Sequence, residues 1–297
     1  MLLITGITGH SGRYFLQELI DNNYQGPIRC IVRSNSNIEN LKKSGLNIEV
    51  VIGDLDDQAF LYQAFEGITD VFHIASIFYS VSVTKAAVRN NVKNLYLVHT
   101  TGIYSQYKSA SEEYLKIENE VEILIKDTTI RKITLRPTMI YGYLNDQNMI
   151  VFIKMVDKLR VFPVINNGSN TIQPVNGRDL GKAYYQVLIS TNLIEKEYIL
   201  SGKSSVSMKE LFLMISQLLN KKTKFVNVPL RIGENGAKSI LKLSMGKIDY
   251  VERVQRMAED RSYSHENAKR DFDYNPMPLN EGLSIEINEY LKSLGRV

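Results

Sequence analysis

Met1-Leu-Leu-Ile-Thr-Gly-Ile-Thr-Gly-His-Ser-Gly12 opens the chain, and the reading of this stretch decides the fold. Leu2, Leu3 and Ile4 fit a short buried strand that runs into glycines at 6, 9 and 12. The segment after them pairs Phe15 with Leu19 and Leu16 with Ile20 at the i, i+4 spacing of an amphipathic helix. Strand, glycine turn and helix, in that order, let a backbone wrap an anion. Gly6 can take a backbone angle closed to other residues, Gly9 has no side chain to block a phosphate, and Gly12 lets helix and strand pack closely. The helix then turns its unpaired N–H groups and its positive dipole end toward the bound group. An ATP-type P-loop is excluded, because the step from Gly6 reaches Ser11 and no Gly-Lys-Ser/Thr follows.

Working outward, the 297 residues are enough for a full core in one large domain or one and a half. The net charge of +4 is small, and lysines and arginines are scattered among acids, so no nucleic-acid or lipid surface is expected. No apolar run approaches the ~20 residues of a membrane helix, and the first residues already read as a strand, not a signal peptide. Cys30 is the only cysteine, which rules out intrachain disulfides; in its apolar strand it reads as a core residue. No metal site is expected. A cytoplasmic protein with a small-molecule partner fits this balance.

The first half alternates β-rich runs (28–32, 48–52, 71–74, 95–98, 133–135) with amphipathic stretches (39–44, 56–65, 83–91, 111–126). Such alternation predicts right-handed crossovers and a parallel, doubly wound α/β sheet with its ligand at the carboxyl ends of the strands. Beyond Tyr141-Gly142 the rhythm loosens: helical patterns (147–158, 179–190, 208–219, 279–294) are separated by short strands (198–200, 225–228) and prolines. The predicted division is a main domain over 1–142, rejoined by 173–200, and a smaller C-terminal α/β substrate lobe over 143–172 and 201–297.

At this point the residues resemble a known family. Thr5-Gly6-Ile7-Thr8-Gly9-His10-Ser11-Gly12 is similar to the TGxxGxxG signature of extended and atypical short-chain dehydrogenases/reductases. Four further segments resemble family signatures in the right order: Gly53-Asp54-Leu55, His73-Ile74-Ala75-Ser76, His99-Thr100-Thr101-Gly102-Ile103-Tyr104, and Leu135-Arg136-Pro137-Thr138-Met139-Ile140-Tyr141-Gly142. Pro174-Val175-Asn176-Gly177-Arg178-Asp179-Leu180 resembles a later block but departs from it at Gly177-Arg178. The relatives suggested are nucleoside-diphosphate-sugar epimerase/dehydratases and NmrA-like NAD(P)-binding proteins. The resemblance implies a Rossmann-type sheet and a pyridine dinucleotide. Its binding residues would be Gly6, Thr8, Gly9, His10, Ser11, Gly12, Arg33, Asp54, Leu55, Ala75, Ser76, Thr100, Lys116, Pro137, Thr138, Met139 and Ile140. A homodimer through two helices of the nucleotide domain is possible by the same analogy. His73 and His99 are expected to line the cleft, and the run 264–271 resembles a helix packed late in the substrate lobe.

A ribose 2′-hydroxyl is best held by an acid about 20 residues past the glycines, and a 2′-phosphate by a cation. That place holds Arg33, with no acid before Glu39, so NADP is favoured over NAD; Arg13 is a candidate second cation. For catalysis the family uses a Ser/Thr, a Tyr, and a Lys four residues after the Tyr. Thr100 falls at the Ser/Thr place and Lys116 at the lysine, but Glu112 stands where the tyrosine belongs. Three readings stay open. Tyr104 and Lys108 have YxxxK spacing in the wrong element; Lys116 acts alone, assisted by Tyr104, Tyr107 or Tyr114; or the site binds a dinucleotide without turnover. The functional expectation is an NADP-dependent oxidoreductase or an NAD-dependent epimerase/dehydratase-like enzyme acting on a small carbonyl, alcohol or nucleotide sugar. The alternative is an NmrA-like redox sensor.

Overall fold

The computed structural model describes residues 1–107, 111–247 and 249–296. Strand and helix alternate through the first half as β1 (Leu2–Thr5), α1 (Gly12–Asp21), β2 (Ile28–Val32), α2 (Glu39–Lys42), β3 (Ile48–Ile52), α3 (Gln58–Ala64), β4 (Asp70–His73), α4 (Ser80–Arg89), β5 (Asn94–Val98), α5 (Ser111–Ile125) and β6 (Arg131–Pro137). There follow β7 (Ile140–Tyr141), α6 (Met149–Lys158), β8 (Val161–Ile165), β9 (Thr171–Ile172), β10 (Val175–Asn176), α7 (Gly177–Ile189) and β11 (Glu197–Leu200). The chain closes with β12 (Val206–Ser207), α8 (Met208–Leu218), β13 (Lys224–Val228), α9 (Leu230–Leu243), α10 (Val251–Arg256), α11 (Glu266–Phe272) and α12 (Leu279–Ser293).

Seven strands make one sheet in the order β11-β6-β5-β4-β1-β2-β3, with every neighbouring pair parallel. The chain leaves β1 to one side through β2 and β3, then returns to lay β4 on the other. That reversal opens a crevice at the carboxyl ends of β1 and β4. Both faces are covered, as parallel sheets require. One face packs Phe15, Phe72 and Tyr184 beneath α1 and α7; the other packs Leu61, Val83 and Val121 from α3, α4 and α5. A separate apolar cluster joins α6, α8 and α12, with the Phe152 and Phe212 rings meeting edge-on at 5.3 Å. Cys30 is wholly buried in the first core, and burial pushes its thiol up to about 12. No helix among the described residues is long and apolar enough to cross a membrane.

Two elements differ from the sequence reading. Helix α9 is not among the helical patterns expected from the sequence; it carries Gly233 and Gly236, and only Ala237 of this helix is buried. Helix α11 belongs to the main core and not to the outer lobe. Ala268, Phe272 and Tyr274 all join that core, and Phe272 stacks edge-on against Tyr198 of β11 at 5.1 Å.

The last helix is tied down by a buried carboxyl pair. Glu286 accepts the Gly142 N–H at 2.9 Å, while Asp146 accepts N–H groups of Asn148 and Ile150 at the start of α6. Burial, then the neighbouring Asp146 charge, push the Glu286 carboxyl up to about 9, and burial raises Asp146 as well. A carboxyl whose pKa is raised in the folded state binds more protons there than in the unfolded chain. Stability therefore falls as pH rises from the ordinary carboxylate range to the raised value. Glu286→Gln keeps an acceptor for Gly142 and removes the titration. Urea midpoints measured from pH 5 to 9 are expected to decline in the wild type and to flatten in the variant; parallel declines would refute the role of this pair.

Candidate functional site

Backbone contact builds the N-terminal turn. Gly6 adopts φ +76, and a Cβ there would lie 2.6 Å from the Ala75 nitrogen at the end of β4. A Cβ on Gly12 would fall 2.1 Å from the Gly6 carbonyl oxygen, so α1 can start this close to β1 only with glycine at 12. The Gly9 N–H closes the turn on the Gly6 carbonyl at 2.9 Å. Tyr184 of α7 donates to Ser11 Oγ at 3.2 Å, steadying the helix start from the other side. With no acid in its first turn, α1 presents a positive end to the crevice.

The crevice is a cleft of about 470 Å³ that gathers most of the residues the sequence singled out. Gly6, Thr8, Gly9, His10 and Ser11 form its floor; Arg33 and Ser36 stand at one end, Asp54 and Leu55 beside them, and Ala75, Ser76 and Ile140 along the far wall. Tyr79, which the sequence did not single out, also faces it from the short turn before α4. His10 is neutral: burial, then the Arg13 charge, lowers its imidazole to about 4. Asp54 folds its own turn, accepting the Asp56 N–H at 3.1 Å. Arg13 points away, with its guanidinium 3.7 Å from the Tyr143 ring centre and its Nε bonded to the Gly9 carbonyl. It is therefore not a partner of Arg33.

Other expected residues stand elsewhere. Gly12 and Pro137 are buried behind the wall, and Thr138 donates to the Gln173 carbonyl on the far side of it. Met139 faces a second hollow, although its neighbour Ile140 faces the cleft. Thr100 is half-buried, and its Oγ1 accepts the Gly102 N–H at 2.9 Å. His73 and His99 do not line the cleft. His73 is bonded to Thr5 at 2.7 Å and to the Ser76 carbonyl, and burial followed by the His99 charge lowers it to about 3.

The expected catalytic trio does not assemble. Lys116 stands exposed on the outer side of α5, because the helix turns Tyr114 and Glu118 inward instead. Tyr114 and Glu118 stand four residues apart on this inward side, while Glu112, Lys116 and Glu120 are exposed. Tyr114 lies against Phe78 with ring centres 5.6 Å apart. Tyr104 is 47% exposed and donates to Glu197 at 2.6 Å; burial and that bond push its phenol up to about 12, away from proton-transfer chemistry. Lys108, the other half of the Tyr104 alternative, lies outside the described residues.

Glu118 is the centre of a charged cluster. It holds Arg136 through both oxygens at 2.6 and 2.7 Å and accepts from His99 at 2.9 Å, while Ser80 meets the other His99 nitrogen at 3.0 Å. Glu197 on the edge strand β11 meets Arg136 Nη2 at 2.7 Å, and Arg136 Nε is buried with no hydrogen-bond partner. Burial opposes the Glu118 charge, but the His99 and Arg136 bonds outweigh it and hold the carboxyl down to about 2. For His99, burial outweighs Glu118 and lowers the imidazole, leaving it neutral. Strong charge is thus locked in place behind Thr100. The motif Leu135-Arg136-Pro137 was legible, but its partner was hidden by a two-residue difference in helix phase.

The chain belongs to the NmrA-like family, whose model matches residues 1–245. No curated protein matches it. Among solved structures, it is similar to the protein gox2253 at 20% identity and TM-score 0.77, covering 100% of this chain and 99% of that one. It is also similar to UDP-glucose 4-epimerase from Thermotoga maritima, solved with UDP-glucose (16%, 0.74, 99% of both chains). A third is UDP-glucuronic acid 4-epimerase from Bacillus cereus in complex with NAD (17%, 0.75, 99% of both chains). At such identities the likeness establishes the shared fold.

Removing one partner of a buried pair strands the other charges, at roughly 3–5 kcal/mol. Arg136→Ala is expected to lose about that much in urea unfolding, and Lys116→Ala to change stability by less than about 0.5 kcal/mol. The reverse ranking would place the structural charge on the wrong residue.

Proposed function

We propose that the protein is an NAD(P)-linked oxidoreductase that favours NADP, with an active centre that lacks the usual Tyr–Lys pair. The observation that carries the cofactor half is the fit of the cleft: side-chain-free backbone at Gly6 and Gly9, a helix N-terminus behind them, and a guanidinium, with no acid close by in sequence, after β2. The turn would hold the pyrophosphate and Arg33 the 2′-phosphate, with Ser36 beside it. Bound there, the group would supply hydride chemistry at the Ile140 end. This chain would supply position and polarity: Ala75 and Ile140 as apolar walls, and the Thr101 and Thr138 hydroxyls on the substrate side of the partition.

The second hollow, beside the cleft on the Met139 side of the 138–140 segment, supports an enzyme over a pure sensor, since a reporter of redox state has no use for a second ligand space there. The acid at 118 supports the other reading, a dinucleotide binder without turnover, because no lysine reaches the cofactor from α5. Carbonyl-reduction assays with NADPH separate the two. Arg33→Ala is expected to weaken NADP binding at least tenfold and NAD binding by less than about threefold in calorimetry, a difference of roughly 0.7 kcal/mol or more. Equal losses would remove the preference for the phosphorylated dinucleotide.

A further inference from the structure

Behind Met139 lies a hollow of about 350 Å³, walled by Met139 and Phe152 on one side and by Arg253, Arg256, Met257 and Arg261 on the other. A separate void of about 20 Å³ lies beside it, where Thr101 and Thr138, at the ends of two sheet strands, face Arg256, Arg261 and Tyr263. The Nε atoms of Arg256 and Arg261 are both buried and have no hydrogen-bond partner. Burial, followed by repulsion from Arg256, pushes the Arg261 guanidinium down to about 10. Two acids, Asp249 and Glu252, share the lining with three arginines, and neither bonds the buried Nε atoms. Glu252 is 3.9 Å from Arg256, Asp249 accepts the Val251 N–H, and Glu259 gives one oxygen to Ser105 Oγ and the other to the Gln106 N–H. The Arg261 backbone is pinned to β9 by its bond to the Thr171 carbonyl at 2.7 Å, so the side chain is held in the wall.

Two like charges forced together, with donors unmet, are unfavourable unless something negative completes them. A guanidinium fork matches a carboxylate or a phosphate oxygen pair. At about 350 Å³ the space is near the lower end of small-molecule pockets, ~300 Å³, which suits a compact acid better than a nucleotide sugar.

We propose that Arg256 and Arg261 anchor the carboxylate or phosphate group of a small organic substrate, seated on the Met139 side of the 138–140 segment whose Ile140 faces the dinucleotide cleft. That the bound anion is a substrate rests on the cofactor reading above; the anion site itself does not. Both phosphate and carboxylate satisfy the same two forks, and the probes tell them apart.

The test is calorimetry of the full chain, at constant ionic strength in chloride, with inorganic phosphate, malonate and UDP-glucose as separate probes. Each is titrated in the presence of saturating NADP, so that phosphate cannot report the glycine turn. Saturable binding of phosphate or malonate is expected, weakened tenfold or more by Arg261→Gln and by Arg256→Gln, while both variants keep wild-type NADP affinity. Lys222→Gln, on a remote surface, is expected to bind the probes as the wild type does. Circular dichroism of each variant verifies folding, and Arg256→Lys provides a second replacement that keeps charge but loses the fork. Absence of phosphate and malonate binding in the wild type, binding unchanged in both glutamine variants, or tighter binding of UDP-glucose than of either small anion would overturn the proposal. Failure of NADP itself to bind in a separate titration would overturn the cofactor reading instead; phosphate and malonate titrations without NADP would then still decide the anion site.

Discussion

Everything in the molecule that bears on function depends on how closely α1 approaches β1. The Gly6 carbonyl, the Gly12 α-carbon and the end of β4 share a space in which one extra methyl group has no room. That contact fixes where the helix begins, and hence where its free N–H groups point. It also sets the width of the crevice between β1 and β4. Strand order alone would provide a crevice; backbone contact turns it into a site shaped for a diphosphate.

The second organising constraint is charge. On the inward side of α5 this chain has Glu118, and the surroundings match it: Arg136 is held by two carboxylates, His99 is neutral, and Ser80 completes the chain of bonds. The result is a rigid wall behind Thr100, with its charges matched internally. The cationic character of the site lies instead on the other side of the partition at 138–140, in the arginines of α10 and the segment after it. Cofactor cleft and second hollow thus meet at the short segment leading from β6 into β7, with Ile140 facing one and Met139 the other.

The features that sequence made legible share a cause. Local patterns with strict geometry, such as glycines between a strand and an amphipathic helix or β-rich runs alternating with helices, are encoded by near neighbours, and the sheet and most of the cleft followed from them. Arg33 was legible from its distance past the glycines, and Asp54 and Ser76 from the resemblance of their segments to the family's signatures. Features that depend on helix phase or on distant pairing were not legible. Reading Lys116 as the inward residue of α5 is wrong by two positions, which on a helix amounts to more than half a turn. Tyr79 faces the cleft from a turn with no motif, and Arg256 with Arg261 becomes a pair only when β9 pulls the segment after α10 inward. Helix α9 was hidden because its glycines look like loop residues, and the arrangement around them decides otherwise.

The central claim is that the N-terminal turn and the adjoining strand ends hold a pyridine dinucleotide. Amide hydrogen exchange of the whole chain with and without NADP tests it most directly. Slowed exchange is expected in residues 6–13, 33–36, 53–55 and 75–79, with little change in α8 and α12. Exchange that is unaltered throughout, or protection confined to the outer helices, would contradict it.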